Sequence, residues 1–311
     1  MIVATKAALG ANSTTYRWVA VGATGNLATS DSTTASSWTA RTSSFGTTQI
    51  NAVASDGAGF YVAVGNAGKL ATSPDGITWT QRANPFSTND INDVAYGNGV
   101  WVAVGGPSGG GTLATATDPT GTWTSRTTGA TTPINKIAYG AGLWALIQSN
   151  GTYRTATDPT GTWTTRSGTV GSEFTRYNPI QAVWDVGYAA ATATNNIASS
   201  TDGTTFTTRS LPNTTGIAGA GEILSNSSVI AIAYRSSGAA CDIATSTDGI
   251  AWTDRTPAIT ATAVTAAAVD SGGFMVFANG TNVQTSSDGT TWTSRTGPTF
   301  TPLGLCHAST I

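Results

Sequence analysis

Short apolar runs recur along the chain at a near-constant interval, separated by glycine, aspartate and hydroxyl residues. Five stand out: YRWVAVG (16–22), FYVAVG (60–65), VWVAVG (100–105), LWALIQ (143–148) and FMVFANG (274–280). Each is too short for an ordinary helix and rich in Val and aromatic residues. Such a run reads as a strand buried on both faces. A weaker alternating segment precedes the run, as in INAVAS (50–55), INDVAYG (91–97) and INKIAYG (134–140). A short piece ending in Ala-Thr-Ser follows it, as in KLATS (69–73) and DIATS (242–246). The unit then closes on an aromatic–Thr–x–Arg segment. That makes four strand candidates per unit, parted by turn residues, and no stretch with helical periodicity.

The closing segment occurs seven times: Trp38–Arg41, Trp79–Arg82, Trp123–Arg126, Trp163–Arg166, Phe206–Arg209, Trp252–Arg255 and Trp292–Arg295. Successive arginines are 41, 44, 40, 43, 46 and 40 residues apart. An aspartate precedes each aromatic: Asp31, Asp75, Asp118, Asp158, Asp202, Asp248 and Asp288. Four short strands per period of this length describe a blade. The expected fold is all-β: a seven-bladed β-propeller of four-stranded antiparallel blades, one domain over residues 1–311. Its outer hairpins end near residues 41, 82, 126, 166, 209, 255 and 295, and a terminal strand closes the ring. Period-2 patterning excludes helical repeats, and β-helix coils are shorter than this unit.

Within the unit, Asp at the head of a turn accepts backbone N–H bonds and the Gly beside it supplies positive φ. The aromatic is expected to cover the seam to the next blade. Arginine three positions later lies on the opposite strand face, so a neighbouring blade, a carbonyl or solvent is its expected partner. S-P-D-G-I-T-W (73–79) and its siblings resemble the Asp-box, or BNR, repeat of sialidase-like, sortilin-like and photosystem-assembly-factor-like propellers. The resemblance covers almost the whole chain and implies a folding element remote from the axis where ligands bind. Most copies here set Asp and Gly adjacent, one residue closer than the family pattern. Inner-strand candidates number eight, because both MIVATKAALG (1–10) and TPLGLCHAS (301–309) match; one should close the ring and the other is surplus.

Composition narrows the chemistry. Charged residues are 10% of the chain, net charge is −2, and 37 residues are Gly. Nothing forms a basic stripe for nucleic acid, and no apolar run is long enough to span a membrane. The start shows no signal-peptide pattern. Cys241 and Cys306 read as buried thiols with no metal spacing, and one histidine, His307, leaves no basis for a zinc site or a histidine triad. No metal or cofactor is expected.

Seven of the 14 aspartates and seven of the 11 arginines belong to the repeat, so a single catalytic role for them is disfavoured. Sialidase chemistry, as that resemblance implies it, needs three clustered arginines, a Tyr–Glu pair and an acid Asp. The one polar cluster breaking the pattern is GSEFTRYN (171–178), with Glu173, Arg176 and Tyr177 as candidate contact residues. Asp56, Asp90, Asp93, Asp185, Asp242, Asp254 and Asp270 lie outside the repeat, and no pair among them stands out as a glycosidase dyad. GGPSGGG (105–111) lacks the lysine of a phosphate loop and reads as a hairpin connection. Trp18, Tyr61, Trp101, Trp144 and Trp184 could stack on sugars, but their apolar neighbours favour core. The expected function is non-enzymatic: a structural or interaction propeller, foremost a bacteriophage virion component such as a capsid decoration or tail-associated protein. Alternatives are a carbohydrate-binding lectin-like propeller and an assembly factor. Expected partners are other proteins of the assembly, with cell-surface glycan as a further option, and the location is the virion or the extracellular space.

Overall fold

In the computed structural model, residues 15–166, 175–178, 183–187, 196–212, 219–235, 241–259 and 264–310 are described. They form seven four-stranded antiparallel sheets and no α-helix among the described residues. The expectation of seven like blades is corrected. Only six are blades of four consecutive strands, spanning 50–81, 91–126, 134–166, 175–210, 219–259 and 266–296. The remaining sheet is composite: Thr15–Gly22, Leu27–Ser30 and Thr39–Arg41 take their inner partner from the other end of the chain, Pro302–Thr310. The C-terminal strand is therefore the one that closes the ring. The competing segment MIVATKAALG lies outside the described residues.

The inner strands touch in cyclic order. Pro302–Thr310 meets Ile50–Ser55, which meets Ile91–Gly97, then Ile134–Gly140, Thr175–Asn178, Gly219–Ser225 and Ala266–Val269, which returns to Pro302–Thr310. Numbering the composite sheet first, this is also the order of the sheets around the axis.

Second strands are buried on both faces because a sheet lies on either side. In Tyr61–Gly65 every residue is buried, and in Val100–Gly105 all but the first. That explains their continuous apolar runs. The closing glycine of V-A-V-G is required by a close approach: a Cβ at Gly65 or Gly105 would lie 2.1 Å from the carbonyl oxygen of Gln49 or Asp90.

Apolar clusters fill the seams, and each takes the aromatic of its outer hairpin from the later sheet. Trp79 packs with Val19, Val21 and Tyr61, while Trp123 packs with Val62, Val64 and Trp101. Trp163, Trp292 and Trp38 close other seams in the same way. The aromatic thus covers the seam to the preceding blade, not to the next one.

A second device binds inner strands to one another. Asn51, Asn92 and Asn135 each follow an isoleucine, and the register shifts by one residue at each of these places. Such a bulge frees the side chain from the pleat. Asn51 Nδ2 donates to the Ile91 carbonyl and Asn92 Nδ2 to the Ile134 carbonyl, both at 2.9 Å. Each bond reaches the next blade.

Ring closure makes a direct prediction. Removing residues 302–310 strips the composite sheet of its inner strand and leaves the edge of Thr15–Gly22 unpaired. Size-exclusion chromatography of the truncated chain should show aggregates or swapped oligomers in place of the full-length species, with a lowered melting midpoint. An unchanged elution volume and midpoint would contradict the closing role.

Candidate functional site

The repeated charges are built into the scaffold. In the fifth, sixth and seventh sheets, the carboxylates of Asp202, Asp248 and Asp288 each accept two backbone N–H bonds from the turn that follows. Their donors are Thr204 and Thr205, Ile250 and Ala251, and Thr290 and Thr291, at 2.7–3.0 Å. Asp75 does the same with Ile77 and Thr78. The indole N–H of Trp79 returns to the Gly76 carbonyl at 3.0 Å. Gly76 itself sits at φ 72°, and its bare Cα packs on Arg17 and Val19 of the preceding sheet. Asp118 and Asp158 use the Pro-Thr-Gly turn instead, accepting from both the N–H and the hydroxyl of Thr120 and Thr160.

Asp31 is a correction. Asp75 stands four positions before Trp79 but Asp31 stands seven before Trp38, and Thr34 stands where the turn aspartate belongs. Thr34 shares a hydroxyl network with Ser32 and Ser36, while Ala35, at φ 50°, replaces the glycine. Asp31 is recruited instead by Arg17, at 2.6 Å; the same guanidinium donates to the Asp75 carbonyl and so ties the first sheet to the second.

The arginines also differ from expectation. Each donates Nε to a hydroxyl on the third strand of its own blade. Arg41 meets Thr29, Arg82 Thr72, Arg126 Thr115, Arg166 Thr155, Arg209 Ser199, Arg255 Thr245 and Arg295 Thr285, at 2.7–3.2 Å. The penultimate hydroxyl of the third strand, in Thr-Ser, Thr-Ala or Ser-Ser endings, is the missed signal: it lies diagonally across the ladder from the arginine.

Of the candidates outside the repeat, several also stabilise turns or seams. Asp56 accepts from Ala58 and Phe60, Asp270 from Phe274, and Asp90 from Ala67 of the preceding blade. Asp242 and Asp254 lie on the third and outer strands of one sheet; burial, then Asp242, raises the Asp254 carboxyl above its usual range. Glu173 falls outside the described residues. Arg176 and Tyr177 lie on the inner strand Thr175–Asn178, in register with Asp185 and Trp184. GGPSGGG joins the second and third strands of the third sheet, as expected. Trp18, Tyr61, Trp101 and Trp144 are buried, and Cys241 and Cys306 are buried in different seams.

Chemistry that does not repeat gathers on the axis. A cavity of about 390 Å³ runs along the inner strands and is lined by Ser55, Asp93, Lys136, Glu222 and His307 among others. Asp93 accepts the Val94 N–H at 3.0 Å and, across the seam, the Ile137 N–H at 3.1 Å. Burial raises its carboxyl above the usual range, against the pull of Lys136. Burial also lowers the His307 imidazole to about 4, so the ring is neutral near pH 7, and pushes the Cys306 thiol up. Tyr96 and Tyr139 also line the cavity; Tyr96 lies against Trp101 and Tyr139 against Trp144, each with ring centroids 4.8 Å apart. His307 lies on Trp18 at 4.5 Å in the same register. The two tyrosines are legible in the sequence as A-Y-G followed by V-W or L-W, but strand alternation alone does not distinguish them from other inner-strand residues.

Two predictions test the scaffold. The backbone N–H groups of Thr205, Ala251 and Thr291 are the largest cause holding Asp202, Asp248 and Asp288 below the usual carboxylate range. A depressed folded pKa contributes stability above the unfolded value of about 3.9 and loses it as pH falls below that. The melting midpoint should therefore drop on acidification below about pH 4, and the triple Asp→Asn variant should drop less steeply; equal slopes would contradict this. Separately, Thr115→Val removes the acceptor of Arg126 with little change of shape. It should cost about 1 kcal/mol in denaturant unfolding.

No family model and no curated relative matches the chain. Similar solved structures include YCF48 bound to D1 peptide, with 16% identity, TM-score 0.58 and coverage of 76% of this chain and 77% of that one. YCF48 from Cyanidioschyzon merolae is also similar, with 16% identity, TM-score 0.55 and coverage of 79% and 84%. So is a catalytically inactive virginiamycin B lyase from Staphylococcus aureus with quinupristin, with 13% identity, TM-score 0.67 and coverage of 84% and 92%. At such identities the likeness speaks for architecture alone. The chain has the β-propeller fold.

Proposed function

We propose that this protein is a non-enzymatic interaction propeller that packs against other proteins in a larger assembly, foremost a bacteriophage particle. The carrying observation is where the charge goes. Six repeated aspartates are consumed in their own turns, the seven repeated arginines are bonded to their own third strands, and Asp31 is paired with Arg17. The outer strands are left with exposed threonine and serine, as in Thr124–Arg126 and Thr164–Arg166. Interface centres are depleted in charged residues, and a surface of this kind packs without stranding ions. The similar structure of YCF48 holding a D1 peptide gives a precedent for a protein partner on this fold.

The titratable groups of the channel favour binding over catalysis. A buried thiol raised in pKa is the opposite of an activated nucleophile. The lectin alternative loses its original platform, because Trp18, Trp101 and Trp144 are core.

Purified phage particles from the source host test this reading. Quantitative mass spectrometry of gradient-banded virions should recover this chain in a fixed ratio to the major capsid or tail protein. Its absence from every particle fraction, with the purified protein remaining monomeric, would reject the assembly role.

A further inference from the structure

We propose that the channel cavity is a binding site for a neutral saccharide of one or two rings. The inference is independent of the assembly reading, because it concerns the axis and not the outer surface.

The space is a consequence of sequence. At the positions facing the axis the inner strands carry alanine, including Ala54, Ala95, Ala138 and Ala267, and this leaves a cavity of about 390 Å³. Small-molecule sites fall in a range of about 300–1,000 Å³.

The walls offer two kinds of surface at once. Tyr96 and Tyr139 occupy the same register place on neighbouring blades, opposite Trp101 and Trp144. Each ring is tilted 46° on its tryptophan, and a Cβ at Gly97 would collide with the Tyr139 ring. The two tyrosines are thereby held in place before any ligand arrives, so little rotamer entropy is lost on binding. Tyr96 keeps 36% of its surface exposed, unlike the tryptophan beneath it. The same cavity is also lined by Ser55, Asp93, Glu222 and Lys136. That set mixes donors and acceptors and contains both signs of charge.

A sugar ring matches both surfaces. Its C–H face is apolar and flat enough to lie on an aromatic ring, and its hydroxyls each donate and accept. An anionic ligand would meet two carboxyls against one ammonium.

Saturation-transfer NMR with maltose, cellobiose, lactose and chitobiose, run beside a set of end-blocked tripeptides, tests the proposal. At least one disaccharide should give saturation transfer at millimolar concentration. Tyr96→Ala and Tyr139→Ala should each weaken it by about fivefold to tenfold, whereas Tyr96→Phe and Tyr139→Phe keep the stacking face and most of the binding. Ala138→Trp should abolish binding by filling the cavity while the circular-dichroism melt remains cooperative. Binding of the tripeptides alone, no binding of any disaccharide, or disaccharide binding indifferent to Ala138→Trp would each overturn the site. None of these results bears on particle incorporation, so the two readings fail separately.

Discussion

A four-stranded sheet with apolar residues on both faces has no side it can show to water, and this constraint organises the molecule. The run Tyr61–Gly65 cannot be satisfied by one partner layer, since all five residues need cover. Only a sheet on each side removes both faces from solvent, and repeating that demand gives a ring. A ring of like sheets has no free end. The chain meets this requirement by giving the first sheet an inner strand from Pro302–Thr310. Entropy lost in bringing distant segments together is offset because that single pairing completes the composite sheet and with it the two seams on either side.

Once the seams carry stability, the repeated polar residues act as local fasteners. Turn aspartates satisfy backbone N–H groups at the hairpin tip, and the tryptophan N–H returns to the turn carbonyl. Arginine bridges the two outermost strands through a threonine hydroxyl. Where the first blade lacks the aspartate, hydroxyls of Ser32, Thr34 and Ser36 take over the turn and Asp31 turns to Arg17. The asparagine bulges perform a related task nearer the axis, by linking inner strands that would otherwise touch only through side chains. The scaffold is therefore polar at its hairpin tips and inner joints, and apolar in between.

The cavity lining serves two ends: its alanines and Tyr139 also pack on the seam clusters and Asp93 bonds across a seam, while Asp93, Lys136, Glu222 and the tyrosines Tyr96 and Tyr139 collect around one space. Functional variation concentrates where a rigid scaffold leaves room for it.

Much of this was written in the chain itself. The period, the four strands per unit, the turn chemistry of Asp75, Asp202, Asp248 and Asp288, and the buried status of Trp101 and Trp144 all follow from local pattern, because neighbours in sequence are there neighbours in space. Other features are set by contacts between residues about 40 or more apart, to which local periodicity is blind. These include which terminus closes the ring, the preceding-blade seam filled by each outer aromatic, and the joining of Asp93 to Ile137. Arg126 and Thr115 are close in sequence, yet their bond depends on the register of the hairpin between them. The channel is the clearest case: its lining residues come from inner strands scattered over most of the chain, and only ring closure turns their alternating polar faces into one enclosed surface.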